Sequence, residues 1–153
     1  VSAFLLNRSS DLLVLLVILT GFDVERTKQL VYFYNPSKVV LLIQKPNRLD
    51  NNVRNTSLLH SDECDKMGVR TSVELIDCYG EDWGYEVIEK VVAENLSDYN
   101  IVVSSLGPKL SSISVYRTFL KHPEIALTYI PCREYNENYC EGIGDSFESE
   151  IQF

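Results

Sequence analysis

Short, continuously apolar runs alternate along this chain with segments whose apolar positions recur three or four residues apart. The run at 12–20, LLVLLVILT, is far shorter than the roughly 20 apolar residues of a spanning helix, and it predicts a buried parallel strand. In GFDVERTKQLVYFY, Val24, Leu30, Val31 and Tyr34 fall near helical spacing. Asn35-Pro36 should stop that helix, because a residue before proline avoids right-handed helical geometry. KVVLLIQ at 38–44 predicts a second buried strand, and the polar stretch 45–70 predicts a loop holding a short helix. SVELIDC at 72–78 reads as a third strand. Over 79–97, Tyr85, Ile88, Val91, Val92 and Leu96 line one face of a helix, with acids opposite. A fourth strand at 101–103 and a helix at 110–120, carrying Ile113, Val115, Tyr116 and Phe119, follow. Pro123 closes that connection, IALTYI at 125–130 is the fifth strand, and 131–153 shows no period.

Strand–helix alternation with apolar strands predicts an α/β, Rossmann-like doubly wound domain: a mostly parallel sheet of about five strands, covered on both faces. The expected boundaries are 1–130 for this ligand-binding domain and 131–153 for an irregular C-terminal extension. In the order 3-2-1-4-5 the winding reverses between strands 1 and 4, and ligands of open α/β sheets sit at strand carboxyl ends there. The residues leaving those strands are Thr20-Gly21-Phe22-Asp23 and Ser104-Ser105-Leu106-Gly107-Pro108-Lys109.

Composition narrows the chemistry. With 45% hydrophobic and 24% charged residues the chain is ordinary globular material, and its net charge of −8 should repel nucleic acid polymers. An anionic ligand therefore needs a local positive pocket. Cys64, Cys78, Cys132 and Cys140 include no CxxC pair and no histidine-rich neighbourhood, which argues against zinc. They read as reduced thiols of a cytoplasmic protein. The apolar run at 12–20 is bordered by Asp11 and followed by no small-residue cleavage signal, so a secretory leader is not expected. No cofactor and no membrane partner is implied.

The candidate chemistry lies in four short stretches. In SSLGPK, Gly107 permits close backbone approach, Pro108 suits a first helical position, and Ser104, Ser105 and the Lys109 ammonium suit a phosphate. A lysine beside a helix start opposes the macrodipole unless an anion joins it; a plain serine-capped helix start is the competing reading. In TGFDVER, Asp23 caps the helix, alone or in a capping box with Thr20. Asp23 could instead meet a ribose or base, while Gly21 and Phe22 face the cleft. Arg26 is read as a solvated charge rather than an anion ligand. In DCYGEDWGYE, Tyr79 and Trp83 could stack on a base or pack in a core, and Asp77, Glu81 and Asp82 read as helix-start acids. Arg117 and His122 in RTFLKH match an Arg-x4-His ribonuclease spacing that belongs to all-helical domains, and a hydrolytic triad would need His60 or His122, neither expected near the ligand side.

A first strand running into Gly21-Phe22-Asp23 and Glu25-Arg26, and a fourth strand running into Ser105-x-Gly107-x-Lys109, resemble the CRISPR-associated Rossmann-fold (CARF-like) sensors. The likeness spans about 12–130 in element order but is carried by these two motifs. Leu106 and Pro108 depart from the small residues usual in the second loop. The resemblance implies a homodimer that binds a cyclic-nucleotide-like small molecule, with Gly21, Phe22 and Asp23 on one wall and Ser104, Ser105, Gly107 and Lys109 on the other. It also implies an effector domain, for which 131–153 leaves no room, so that the effector would have been lost, or would sit on another chain or in a longer protein.

The expected function is thus a non-catalytic sensor of an anionic, nucleotide-like effector. Two alternatives stand beside it: a metal-independent phosphodiesterase using Lys109 with Ser104 or Ser105, and a protein-interaction subunit.

Overall fold

The computed structural model describes residues 12–45 and 55–131. The extension expected over 131–153 lies outside them apart from Pro131, as do Cys132 and Cys140. Five strands and four helices follow one another as β1 (Leu13–Leu19), α1 (Val24–Tyr34), β2 (Lys38–Gln44), α2 (Ser57–Lys66), β3 (Arg70–Ile76), α3 (Tyr85–Asn95), β4 (Tyr99–Ser105), α4 (Ser111–Lys121) and β5 (Ala126–Thr128). All pairings are parallel and the order is β3-β2-β1-β4-β5. The fold is the doubly wound, Rossmann-like α/β class that the pattern predicts.

β1 is apolar at every position, and β2 and β4 are apolar through their middles, because both sheet faces are covered. On one face Leu16, Ile18, Val39, Leu41 and Val102 pack with Leu30 and Val31 of α1 and Cys64 of α2. On the other, Leu15, Val17, Leu19, Val40, Leu42 and Val103 pack with Ile88 and Val92 of α3 and Val115 of α4. Leu15 to Leu19 are at most 1% exposed, and each such side chain contributes about 1.5–3 kcal/mol by leaving water. The run at 12–20 is therefore the sheet's central strand. Among the described residues no helix is long and apolar enough to cross a membrane.

β4 (Tyr99–Ser105) is longer than the expected 101–103 and β5 (Ala126–Thr128) shorter than the expected 125–130, and three other elements also differ from the sequence reading. β3 starts two residues earlier than expected and is largely exposed except at Ile76, as an edge strand covered by little else. α3 begins at Tyr85 rather than 79. The preceding turn carries Trp83 at φ 51° and Gly84 at φ 81°, which no helix accommodates. Asp82 caps this start, its carboxylate accepting from the Gly84 N–H at 3.0 Å and the Glu86 N–H at 2.8 Å. α4 has Leu110 at its N-cap and no side-chain cap, so the serine-capped start is not realised. Asn35 ends α1 in left-handed geometry, its N–H donating to Val31 O at 2.9 Å.

Candidate functional site

The exits of β1 and β4 stay joined for one step beyond the ladder, the Leu106 N–H donating to Leu19 O at 2.8 Å. On the other side of β1, the Thr20 N–H reaches Leu42 O at 3.0 Å. The two turns then meet backbone to backbone. A Cβ on Gly21 would stand 2.1 Å from Leu106 O, and one on Gly107 would stand 3.1 Å from Thr20 O. Close approach thus requires glycine at 21, while at 107 a side chain would meet a tight contact that a small shift of the neighbour could relieve.

Over this junction opens a cleft of about 500 Å³. Thr20, Gly21, Phe22 and Asp23 form one wall, and Leu106, Gly107, Pro108 and Lys109 another; Arg26, Gln44, Asn55 and Tyr79 complete it. Five of the seven expected site residues (Gly21, Phe22, Asp23, Gly107 and Lys109) therefore come together, at the switch point where open α/β sheets place their ligands. Lys109 is exposed at the cleft, and no hydrogen-bond acceptor among the described residues meets the backbone N–H of Gly107 or Lys109.

Ser104 and Ser105 do not line it. Strand alternation sends them to opposite sheet faces. Ser104 is fully buried, its hydroxyl without a partner in the described structure. Ser105 shares a 2.8 Å hydrogen bond with the Ser111 hydroxyl, which donates to Pro108 O at 2.7 Å, so this pair braces the lysine turn from behind. Asp23 is the N-cap of α1, accepting from the Glu25 N–H at 3.1 Å, and Thr20 takes no part in a capping box. The Thr20 hydroxyl instead faces Leu42 O at 3.2 Å and Asn55 Oδ1 at 2.7 Å, while the Asn55 amide donates to Thr20 O at 3.4 Å.

Two further expectations are corrected. Arg26 is not a solvated charge: it is 9% exposed, donates from Nη2 to Ile130 O and lies over the Tyr129 ring at 5.1 Å. The return of β5 beside α1 encloses it. His60 does stand on the ligand side, fully buried beneath the β1 exit, with Nε2 3.2 Å from Gly21 O and Nδ1 2.9 Å from Thr27 Oγ1. A carbonyl only accepts, so Nε2 carries the proton and Nδ1 accepts from Thr27. Burial lowers the His60 pKa, against smaller opposing effects of the Gly21 carbonyl and Asp23, and favours the neutral ring. With both nitrogens committed, His60 holds the glycine turn in place.

The remaining motifs serve packing between helices. Arg117 lies over the Tyr85 ring at 4.3 Å, and His122 meets Glu89 at 3.2 Å. Gln44 ties the β3 exit to the site, accepting from the Cys78 N–H at 2.9 Å. Its signal was visible as the polar end of an apolar strand. Asn55 and His60 had none, because their roles depend on how the β2–β3 crossover passes under β1. A larger hollow of about 630 Å³ runs along the outside of α1, among Tyr32, Phe33, Met67, Tyr129 and Ile130. It lacks the converging turns of the switch point. No protein-family model matches the chain, and no curated protein sequence matches it.

Proposed function

We propose that the domain binds an anionic, nucleotide-like small molecule in the switch-point cleft and acts as a sensor rather than a catalyst. The observation that carries this reading is the meeting of the Gly21 and Gly107 turns under one cleft that Lys109 helps to line. Lysine placed there supplies local positive charge on a chain of net −8. The backbone N–H groups of Gly107 and Lys109, which meet no acceptor among the described residues, add donors for phosphate oxygens. Tyr79, 38% exposed and part of the lining, offers a ring on which a base stacks.

The CARF-like resemblance supports the same ligand class, and with it a homodimer; the free thiols of Cys64 and Cys78 fit a cytoplasmic location. The phosphodiesterase alternative gains no support, since neither Ser104 nor Ser105 lines the cleft. The test is thermal denaturation against a panel of linear and cyclic nucleotides. A binder at a hundredfold its Kd raises stability by about 2.7 kcal/mol, and Lys109→Ala removes that gain. No nucleotide-dependent shift across the panel contradicts the proposal.

A further inference from the structure

Arg26 occupies an unusual position for a cation. Its side chain lines the switch-point cleft, yet the residue is 9% exposed. Its Nη2 is given to a neutral carbonyl, that of Ile130, and its guanidinium lies on the Tyr129 ring. Its Nε is enclosed and has no acceptor. Among the described residues no carboxylate lies within salt-bridge distance of it. A buried charge without a counter-charge is costly, as is an enclosed donor left unpaired. A carbonyl and an aromatic face reduce that cost only in part.

The natural counter-charge is a ligand. We infer that Arg26 is the principal anion-holding residue of the cleft, which Lys109 also lines, and that the ligand carries a phosphate or pyrophosphate group held by the two. This deepens the proposed function and rests on it. The two cations divide the work by their chemistry. Lys109 is an exposed, flexible point charge that attracts the anion; Arg26 is a planar fork, fixed by Ile130 and Tyr129, that sets where the phosphate stops.

The experiment is thermal denaturation of the full chain against inorganic pyrophosphate, at ionic strength held constant with potassium chloride. It compares wild type, Arg26→Gln, Arg26→Lys and Lys109→Ala. The wild-type midpoint rises with pyrophosphate. In Arg26→Gln the apparent affinity falls at least about tenfold, while the midpoint without pyrophosphate equals or exceeds that of wild type, because an uncompensated buried charge has gone. Arg26→Lys, which keeps the charge but loses the fork, falls between, and it carries the test if the glutamine variant does not fold. A purely structural arginine gives the opposite pattern: a lower midpoint without pyrophosphate and an unchanged response to it. That pattern overturns the assignment. So does a wild-type protein that ignores pyrophosphate while still binding a nucleotide through Lys109, a result that leaves the proposed function standing. Silence toward pyrophosphate and every nucleotide overturns both.

Discussion

The carbonyl oxygen of Leu106 stands where Gly21 has no side chain, 2.1 Å from the place a Cβ would occupy. The first wall of the cleft is therefore fitted against the second by backbone. Gly21→Ala must push the loop at 106–107 away or twist the β1 exit. It is expected to cost about 1–3 kcal/mol, as overpacking at a close contact does. Urea denaturation checks this, and an unchanged midpoint would show that the turns are less tightly fitted.

His60 makes stability depend on pH in a defined direction. Its pKa is lowered in the folded state, chiefly by burial, from an ordinary value of 6.5. The unfolded chain therefore binds a proton more readily, and stability rises with pH across this window. The contribution is fully present above about pH 6.5 and is lost as pH falls toward the folded value. Glu63 and Glu89, held below the usual carboxylate value of 4.5 by Lys66 and Lys121, act only at lower pH. Denaturant titrations between pH 8 and 5 should show the decline in wild type and a weaker one in His60→Gln. Equal slopes in the two proteins would remove His60 from the account.

The two described cysteines are expected to be inert in the native protein. Burial pushes the Cys78 thiol up to about 12 and raises Cys64 as well, and the thiolate is the nucleophile. Iodoacetamide at pH 8 followed by peptide mass mapping should leave both unmodified until denaturant is added. Rapid native labelling of Cys78 would contradict its enclosure between β3 and α4.

Asp82 belongs to the helix start rather than to catalysis. Its carboxylate accepts from two backbone N–H groups, at Gly84 and Glu86. Asp82→Ala should lower stability by about 1 kcal/mol, as loss of a cap does. A stabilising effect would point to strain in this turn instead.

Much of this architecture was legible in the sequence, and the reasons are local. LVLLVIL and KVVLLIQ announce strands buried on both faces because no polar residue interrupts them. Asn35-Pro36 marks the end of α1 by backbone sterics alone. Gly21 and Gly107 were found because switch-point geometry says which turns must meet. β3 and α2 were harder, since an edge strand and a helix burying only His60 and Cys64 leave weak patterns. Arg26 was misjudged for a tertiary reason. A long cation in a first helical turn normally reaches water, and only the return of β5, over a hundred residues on, encloses it. Ser104 and Ser105 sat next to the right turn, but the period of two turned their side chains away from it.

The central claim is that an anionic ligand occupies the cleft shared by the β1 and β4 exits. The most direct measurement is an amide nitrogen–proton spectrum titrated with the nucleotide that most stabilises the protein. Peaks of Gly21, Phe22, Gly107 and Lys109 should move together and saturate at one common Kd. Shifts gathered instead at Tyr32, Phe33 and Tyr129, along the apolar hollow outside α1, would contradict it.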